Sequence, residues 1–320
     1  MSASVIRLQS SQLLVEILPV GASVRSVRFD GLGFPLVVGL EDRDLYGPRN
    51  KPFFGATIGR NANRIAGGRL PIEGVDYQLS LNEPPNHLHG GTNGAWSREW
   101  EVENVSSTDA TLTLHLADGE DGYPGAADLT AIFAAEDDML TIVYEATVTR
   151  TSAVNMTSHL YFNLSGEPDT RDHCLEIAAD RYLPVGETLI PTGEAVAVEG
   201  TPFDFRNGRV MRNGPDLLDH NFCLARERVW TPRPAARLFC ETSGVAVEIA
   251  TTECGLQTYD GSYLDGSFRG LGGRPIGKYG AIAIEPQNWP DAPNHPDFPS
   301  SLLHPGERYR HESVYRFTRG

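Results

Sequence analysis

The sequence predicts an all-β fold, a large antiparallel β-sandwich with few short helices, on three observations. Short apolar runs recur along the chain, glycine, proline, asparagine or aspartate closes each one, and no long stretch carries clean helical periodicity. Runs of this kind suit strands paired with their neighbours. With 40% hydrophobic residues among 320, the chain can bury a sheet-on-sheet core.

Taken in order, "LLVEILPVGASVRSVRFDGLG" is strand-and-turn punctuation, as is "ATLTLHLADGEDGYPG". In "DMLTIVYEATVTR", Leu140, Ile142, Tyr144, Ala146 and Val148 share one face of an extended chain, so a half-buried strand is expected there. "TPRPAAR" has a linker's composition, but strand-like segments continue on both sides of it, and a single domain over 1–320 is the simpler organisation. Near the C-terminus, Ala281 to Ile284 alternate as a strand that delivers Glu285 at its end, where Pro286 is expected to stop regular pairing.

Charge narrows the function. A formal net charge of −15 disfavours nucleic acid, whose binding rests on cations that displace counterions, and favours a neutral small molecule. Lys51 and Lys278 are the only lysines, and neither stands in a setting that suggests Schiff-base chemistry. The four cysteines, Cys174, Cys223, Cys240 and Cys254, lack zinc or redox spacing and read as reduced, mostly buried thiols. The opening "MSASVIRLQSSQLLVEILPVG" has no basic region before an apolar stretch, and no later apolar run reaches about eighteen residues. A soluble, cytoplasmic protein with no membrane partner is expected.

Polar residues concentrate at the ends of four strand-like runs. "GATIGRNANRIAGGRL" holds Arg60, Asn61, Asn63 and Arg64 among glycines, either as a solvated turn or as a fork of donors for hydroxyl oxygens. "NEPPNHLHGG" carries His87 and His89, which share a face if the chain is extended; a metal would need a third ligand that nothing nearby supplies, so no metal is expected. In "NMTSHLYFNLSG", His159 follows small polar residues and precedes two aromatics, and the local sequence does not dismiss a core histidine with both nitrogens satisfied. Glu285, if buried at its strand end, has its pKa raised by desolvation unless donors offset it, which suits a base.

The ordered set "GRNANRIAGG", "NEPPNHLHGG", "NMTSHLYFNLSG", "LLDHNFCL", "GLQTYDGSYLDG" and "AIEPQNWPDAPNHPDFP" resembles the aldose 1-epimerases, or galactose mutarotases, over nearly the whole chain. The resemblance implies one β-sandwich with an open sugar cleft, a free monosaccharide such as galactose or glucose as substrate, and no cofactor. It also implies roles. Glu285 would take the proton from the C1 hydroxyl, His159 would protonate the ring oxygen and His89 would hydrogen-bond near it, while Arg64, Asn63, Asp219 and Gln257 would hold the sugar. One of Trp96, Trp289, Tyr161 and Phe162 would offer an apolar face to the ring. An unperturbed imidazole, with a pKa near ~6.5, would exchange its proton with little tuning.

Two departures stand beside catalytic positions: Ser158 where many members have asparagine, and Pro286 where threonine is common. The expected assembly is a monomer or a homodimer. Three other readings stay open: a hexose-6-phosphate 1-epimerase using Arg60 and Arg69, a non-catalytic carbohydrate-binding sandwich, and a glycoside hydrolase with Asp219 and Glu285 as its carboxylate pair.

Overall fold

A computed structural model describes residues 4–320. The reading of the extreme N-terminus and the first residues of the expected domain therefore fall partly on residues 1–3, outside the described residues. The described chain is built from strands, with seven three-residue 3₁₀ turns and no α-helix, as the absence of helical periodicity predicts.

Two antiparallel sheets dominate. The larger has nine strands in the order Arg209–Val210, Cys174–Ile177, Arg233–Cys240, Val245–Thr251, Tyr309–Arg319, Met139–Val148, Ala127–Glu136, Asp109–Leu116 and Glu101–Val105. The smaller has six: Tyr161–Phe162, Ile282–Gln287, Gly255–Tyr259, Asp219–Cys223, Arg181–Leu183 and Val196–Ala197. One continuous core joins them. Phe133, Ile142, Leu238 and Phe317 from the nine-stranded sheet share it with Phe222, Leu256, Ile282 and Ile284 from the six-stranded sheet, and Phe162 packs on Tyr315 with ring centroids 6.0 Å apart. A three-stranded sheet from Ile6 to Phe29 adds Leu8, Val15 and Val24 to the same core.

The period of two decides what each face carries. In Met139–Val148 the predicted apolar face, Leu140, Ile142, Tyr144, Ala146 and Val148, is buried throughout. In Ile282–Gln287, Ile282 and Ile284 turn into the inter-sheet core, whereas Ala283 joins a separate cluster with Tyr161 on the opposite face. Glu285 has the same parity as Ala283, so it projects away from the core.

Two expectations about elements are corrected. The strand does not stop at Pro286: it pairs through Pro286 and Gln287 with Leu256 and Gly255. The N–H of Ile284 points to Leu160 on the side of the short strand Tyr161–Phe162, so residue 286 would direct its N–H past the end of that strand. The proline therefore removes no ladder bond. "TPRPAAR" is no linker either, since Arg233–Cys240 passes through it with a register shift between Pro234 and Ala236.

Candidate active site

Strand register assembles the floor of the site. In the six-stranded sheet, Gln257 lies opposite Glu285 and Asn221 lies opposite Gln257, with Asp219 two residues away on the same face. On the other side Tyr161 pairs with Ala283; extending that register by two residues brings His159 opposite Glu285. Alternation then aims His159, Glu285, Gln257 and Asp219 toward one concave face. His159 Nε2 lies 3.6 Å from Glu285 Oε1, and Gln257 Nε2 donates to Asp219 Oδ1 at 2.6 Å.

The opposite wall comes from the two glycine-rich motifs. Arg64–Ile65 pairs with His87–Leu88, which brings the ends of both segments together. There the N–H of Asn63 donates to His89 Nδ1 at 3.1 Å, and the His89 N–H donates back to the Asn63 carbonyl. A ring nitrogen that accepts carries no proton, so His89 holds its hydrogen on Nε2. Asn63, His89, Gly90 and Gly91 all have positive φ, which turns the chain sharply under the imidazole. Asn63 Oδ1 also accepts the Arg64 N–H at 2.8 Å. These walls enclose a cleft of about 640 Å³ lined by Asn63, Arg64, His89, His159, Asp219, Gln257 and Glu285. All seven positions read from the sequence thus meet in one place.

Burial sets the electrostatics. Desolvation pushes the Glu285 carboxyl well above its ordinary range, the nearby charge of Asp219 pushes it further, and Arg64 pulls it partly back. His159 moves the other way. Burial lowers its imidazole to about 3, which corrects the expectation of an untuned histidine: a residue only 6% exposed loses the solvation that its cation needs. Burial, with His159 and Arg64 nearby, likewise lowers His89 well below the usual histidine value. Asp219 is raised by burial, with Arg64 and Gln257 opposing. Glu285 Oε2 is buried without a hydrogen-bond partner among the described residues, an acceptor left for something bound in the cleft.

The two histidines of "NHLHGG" separate. His87 is fully buried, donating from Nδ1 to the Ser80 carbonyl and accepting at Nε2 from the Tyr123 hydroxyl, each at 2.7 Å. The left-handed backbone at His89 breaks the extended periodicity that would have put both on one face. No cluster of three or more His, Cys, Asp or Glu able to hold a metal occurs among the described residues. Of the four aromatic candidates, Trp96 and Tyr161 line the cleft, whereas Trp289 packs on Phe298 and Phe162 turns into the core.

Several lining residues were not identified from the sequence. Phe53 sits edge-on to His89 at 4.7 Å, and Tyr259 and Tyr263 stack at 5.9 Å, with Tyr263 63% exposed. Glu83 forms a two-pronged ion pair with Arg64. Only its place in a motif already marked as functional hinted at it.

The geometry also bears on the other readings. Arg60 is buried away from the cleft, donating to the Gly125 carbonyl at 2.7 Å, and Arg69 pairs with Asp76 on the surface, so neither supplies a phosphate site there. The groups that flank Glu285 across the sheet are the imidazole of His159 and the amide of Gln257, and neither is the second carboxylate that a glycosidase requires.

The aldose 1-epimerase family model matches residues 4–316. A galactose mutarotase of Rattus norvegicus is 40% identical over 98% of this chain and 93% of its own length, and an aldose 1-epimerase of Escherichia coli K12 is 35% identical over 95% and 92%. Among solved structures, an aldose epimerase homologue from C. elegans superposes with a TM-score of 0.93 at 32% identity, covering 99% of both chains. A galactose 1-epimerase from Lactobacillus acidophilus gives 0.84 at 30% identity, covering 98% of this chain and 94% of that one. A match this long, enclosing the buried carboxyl–imidazole pair and both glycine-rich walls, means that the chain belongs to the aldose 1-epimerase family.

Proposed function

We propose that the cleft interconverts the α and β anomers of a free aldose, galactose or glucose foremost, with Glu285 and His159 as its proton-transfer pair. The observation that carries this reading is their 3.6 Å approach on the cleft floor, both nearly excluded from solvent. Ring opening takes a proton from the C1 hydroxyl and delivers one to the ring oxygen as the bond from C1 to that oxygen breaks. Glu285 as carboxylate accepts the first, and His159 as imidazolium gives the second from Nε2.

The aldehyde then rotates about C1–C2. On closure Glu285 returns its proton to O1 and His159 recovers one from the former ring oxygen. The pair holds one proton at every stage. Burial favours the neutral form of each group, which is the state reached when the ring is open. It is also the resting state, so the proton passes from Glu285 to His159 before the ring opens, and opening restores both neutral forms.

His89 donates from Nε2 toward the reacting oxygens, while Arg64 and Asp219 hold hydroxyls as donor and acceptor and Gln257 fixes Asp219. Asn63 acts through its neighbours, since its backbone N–H orients His89 and its side chain orients the Arg64 backbone. One domain, a monomer or homodimer, and a cytoplasmic setting belong to the same proposal. A core running from Ile6 to Phe317 supports the single domain, and four unpaired thiols support the cytoplasmic setting. No helix among the described residues is long and apolar enough to cross a membrane.

The test is a panel of freshly dissolved single-anomer aldoses followed by polarimetry. Galactose or glucose should equilibrate faster with protein than in buffer; a panel in which no sugar does so refutes the reading.

A further inference from the structure

We propose that Glu83 is a positioning residue for sugar recognition, keeping Arg64 and Asp219 apart as a donor and an acceptor for neighbouring hydroxyls on the side of the ring remote from C1. The inference rests on the anomerase reading of the cleft and adds to it a determinant of substrate affinity.

The guanidinium of Arg64 meets Glu83 edge-on, Nε to Oε2 at 2.6 Å and Nη2 to Oε1 at 2.7 Å. Two parallel bonds of this kind fix both the position and the plane of the fork. Three of the five N–H groups remain, two on Nη1 and one on Nη2. The charge of Asp219 also acts on Arg64, and both residues line the cleft.

A cation with an 11% exposed side chain that lost Glu83 would turn to Asp219. Donor and acceptor would then satisfy each other instead of the sugar. Asp219 lies two strands from Glu285 across the sheet, about 10 Å at the backbone, so this end of the cleft meets hydroxyls far from the reacting carbon. Glu83 is itself held: its N–H donates to the Asn86 carbonyl at 3.2 Å and its carbonyl accepts the Asn86 N–H at 2.8 Å. Asn82 brackets Leu88 through both its side-chain amide atoms.

The Glu83 side chain is 38% exposed, and an ion pair at such a rim contributes little to folding. Its effect should therefore be read in substrate binding. Glu83→Gln, Arg64→Gln and the double variant, assayed by anomer exchange on galactose and glucose, test this. The expected result is a KM for the preferred sugar raised roughly 5- to 20-fold by Glu83→Gln, with kcat within about threefold and the melting temperature within about 2 °C. In the Arg64→Gln background the same change should alter KM by less than about twofold, because its effect passes through the arginine.

An unchanged or lowered KM, an equal effect in both backgrounds, or a loss confined to kcat overturns the proposal. Should Glu83→Gln not fold, Glu83→Asp, whose carboxylate falls one methylene short of the guanidinium, carries the same KM criterion. Inactivity of the unaltered protein on every aldose would instead count against the anomerase reading itself.

Discussion

Glu285 and His159 are displaced by burial in opposite directions, and the displacement has consequences for pH. In the proposed reaction the pair works with one proton in total. It gains a second only when the imidazole and the carboxyl are both protonated, and with His159 lowered to about 3 that occurs far below the ordinary histidine range. kcat/KM should hold steady as pH falls from about 7 to about 5, a range that spans the free histidine value. A sigmoid loss centred near ~6.5 would mean that His159 keeps an unperturbed imidazole.

Stability carries the opposite signature for the carboxyl. A group whose folded pKa is raised weakens the fold progressively as pH rises from the unfolded value, near ~4.3, toward the folded one. Glu285→Gln should therefore raise the melting temperature, and by more at pH 8 than at pH 5. At this scale the sequence showed which residues would meet in the cleft and was silent about their state. His159, Glu285, Arg64 and Asp219 stand in recognisable motifs, but the imidazole's depression follows from packing by Phe53, Tyr161 and His89. The role of Glu83 was hidden because its partner Arg64 lies 19 residues away and meets it only when two loops fold together.

The elements that carry these residues explain why their spacing works. Two short ribbons, Thr57–Ile58 with Thr157–Ser158 and Arg64–Ile65 with His87–Leu88, tie the glycine-rich wall to the segment bearing His159. Ser158 and Thr57 both meet the Tyr144 hydroxyl, at 2.5 and 3.1 Å, which anchors the wall to the nine-stranded sheet. Ser158 thus works behind the site, not in it.

Gly90 shows how tight the assembly is. A Cβ there would lie 2.0 Å from the Gly59 carbonyl, at a φ of 82°. Gly90→Ala should cost on the order of 1–3 kcal/mol from backbone strain, with overlap adding to it, and should lower kcat by shifting His89. Chemical denaturation and anomer exchange on the same preparation check both. Strands such as Met139–Val148 were legible because one face is polar and the other apolar. Pro286 was misread because its tolerance depends on how far a neighbouring strand extends, which no local pattern encodes.

At the scale of the molecule, two sheets share a core on one side of the six-stranded layer and leave its other face free to become a cleft. This division lets chemistry and stability occupy opposite faces of the same strands: Ile282 and Ile284 hold the sheets together, while Glu285, of the opposite parity, faces the cleft. A core change away from the cleft should separate the two functions. Phe133→Ala, at a fully buried ring, should cost about 3–5 kcal/mol in stability with KM unchanged in the folded protein. The class of fold was readable from turn residues and strand lengths; the order of strands was not, because pairings such as Met139–Val148 with Tyr309–Arg319 join segments far apart in the chain.

The central claim is that Glu285 and His159 move the protons of ring opening. It is tested most directly by NMR exchange at C1 of the preferred aldose, comparing the unaltered protein with folded Glu285→Gln and His159→Asn. Each substitution is predicted to slow exchange by about 10² to 10⁴-fold, the effect of one positioned proton-transfer group. Exchange at the unaltered rate in either variant would contradict the claim.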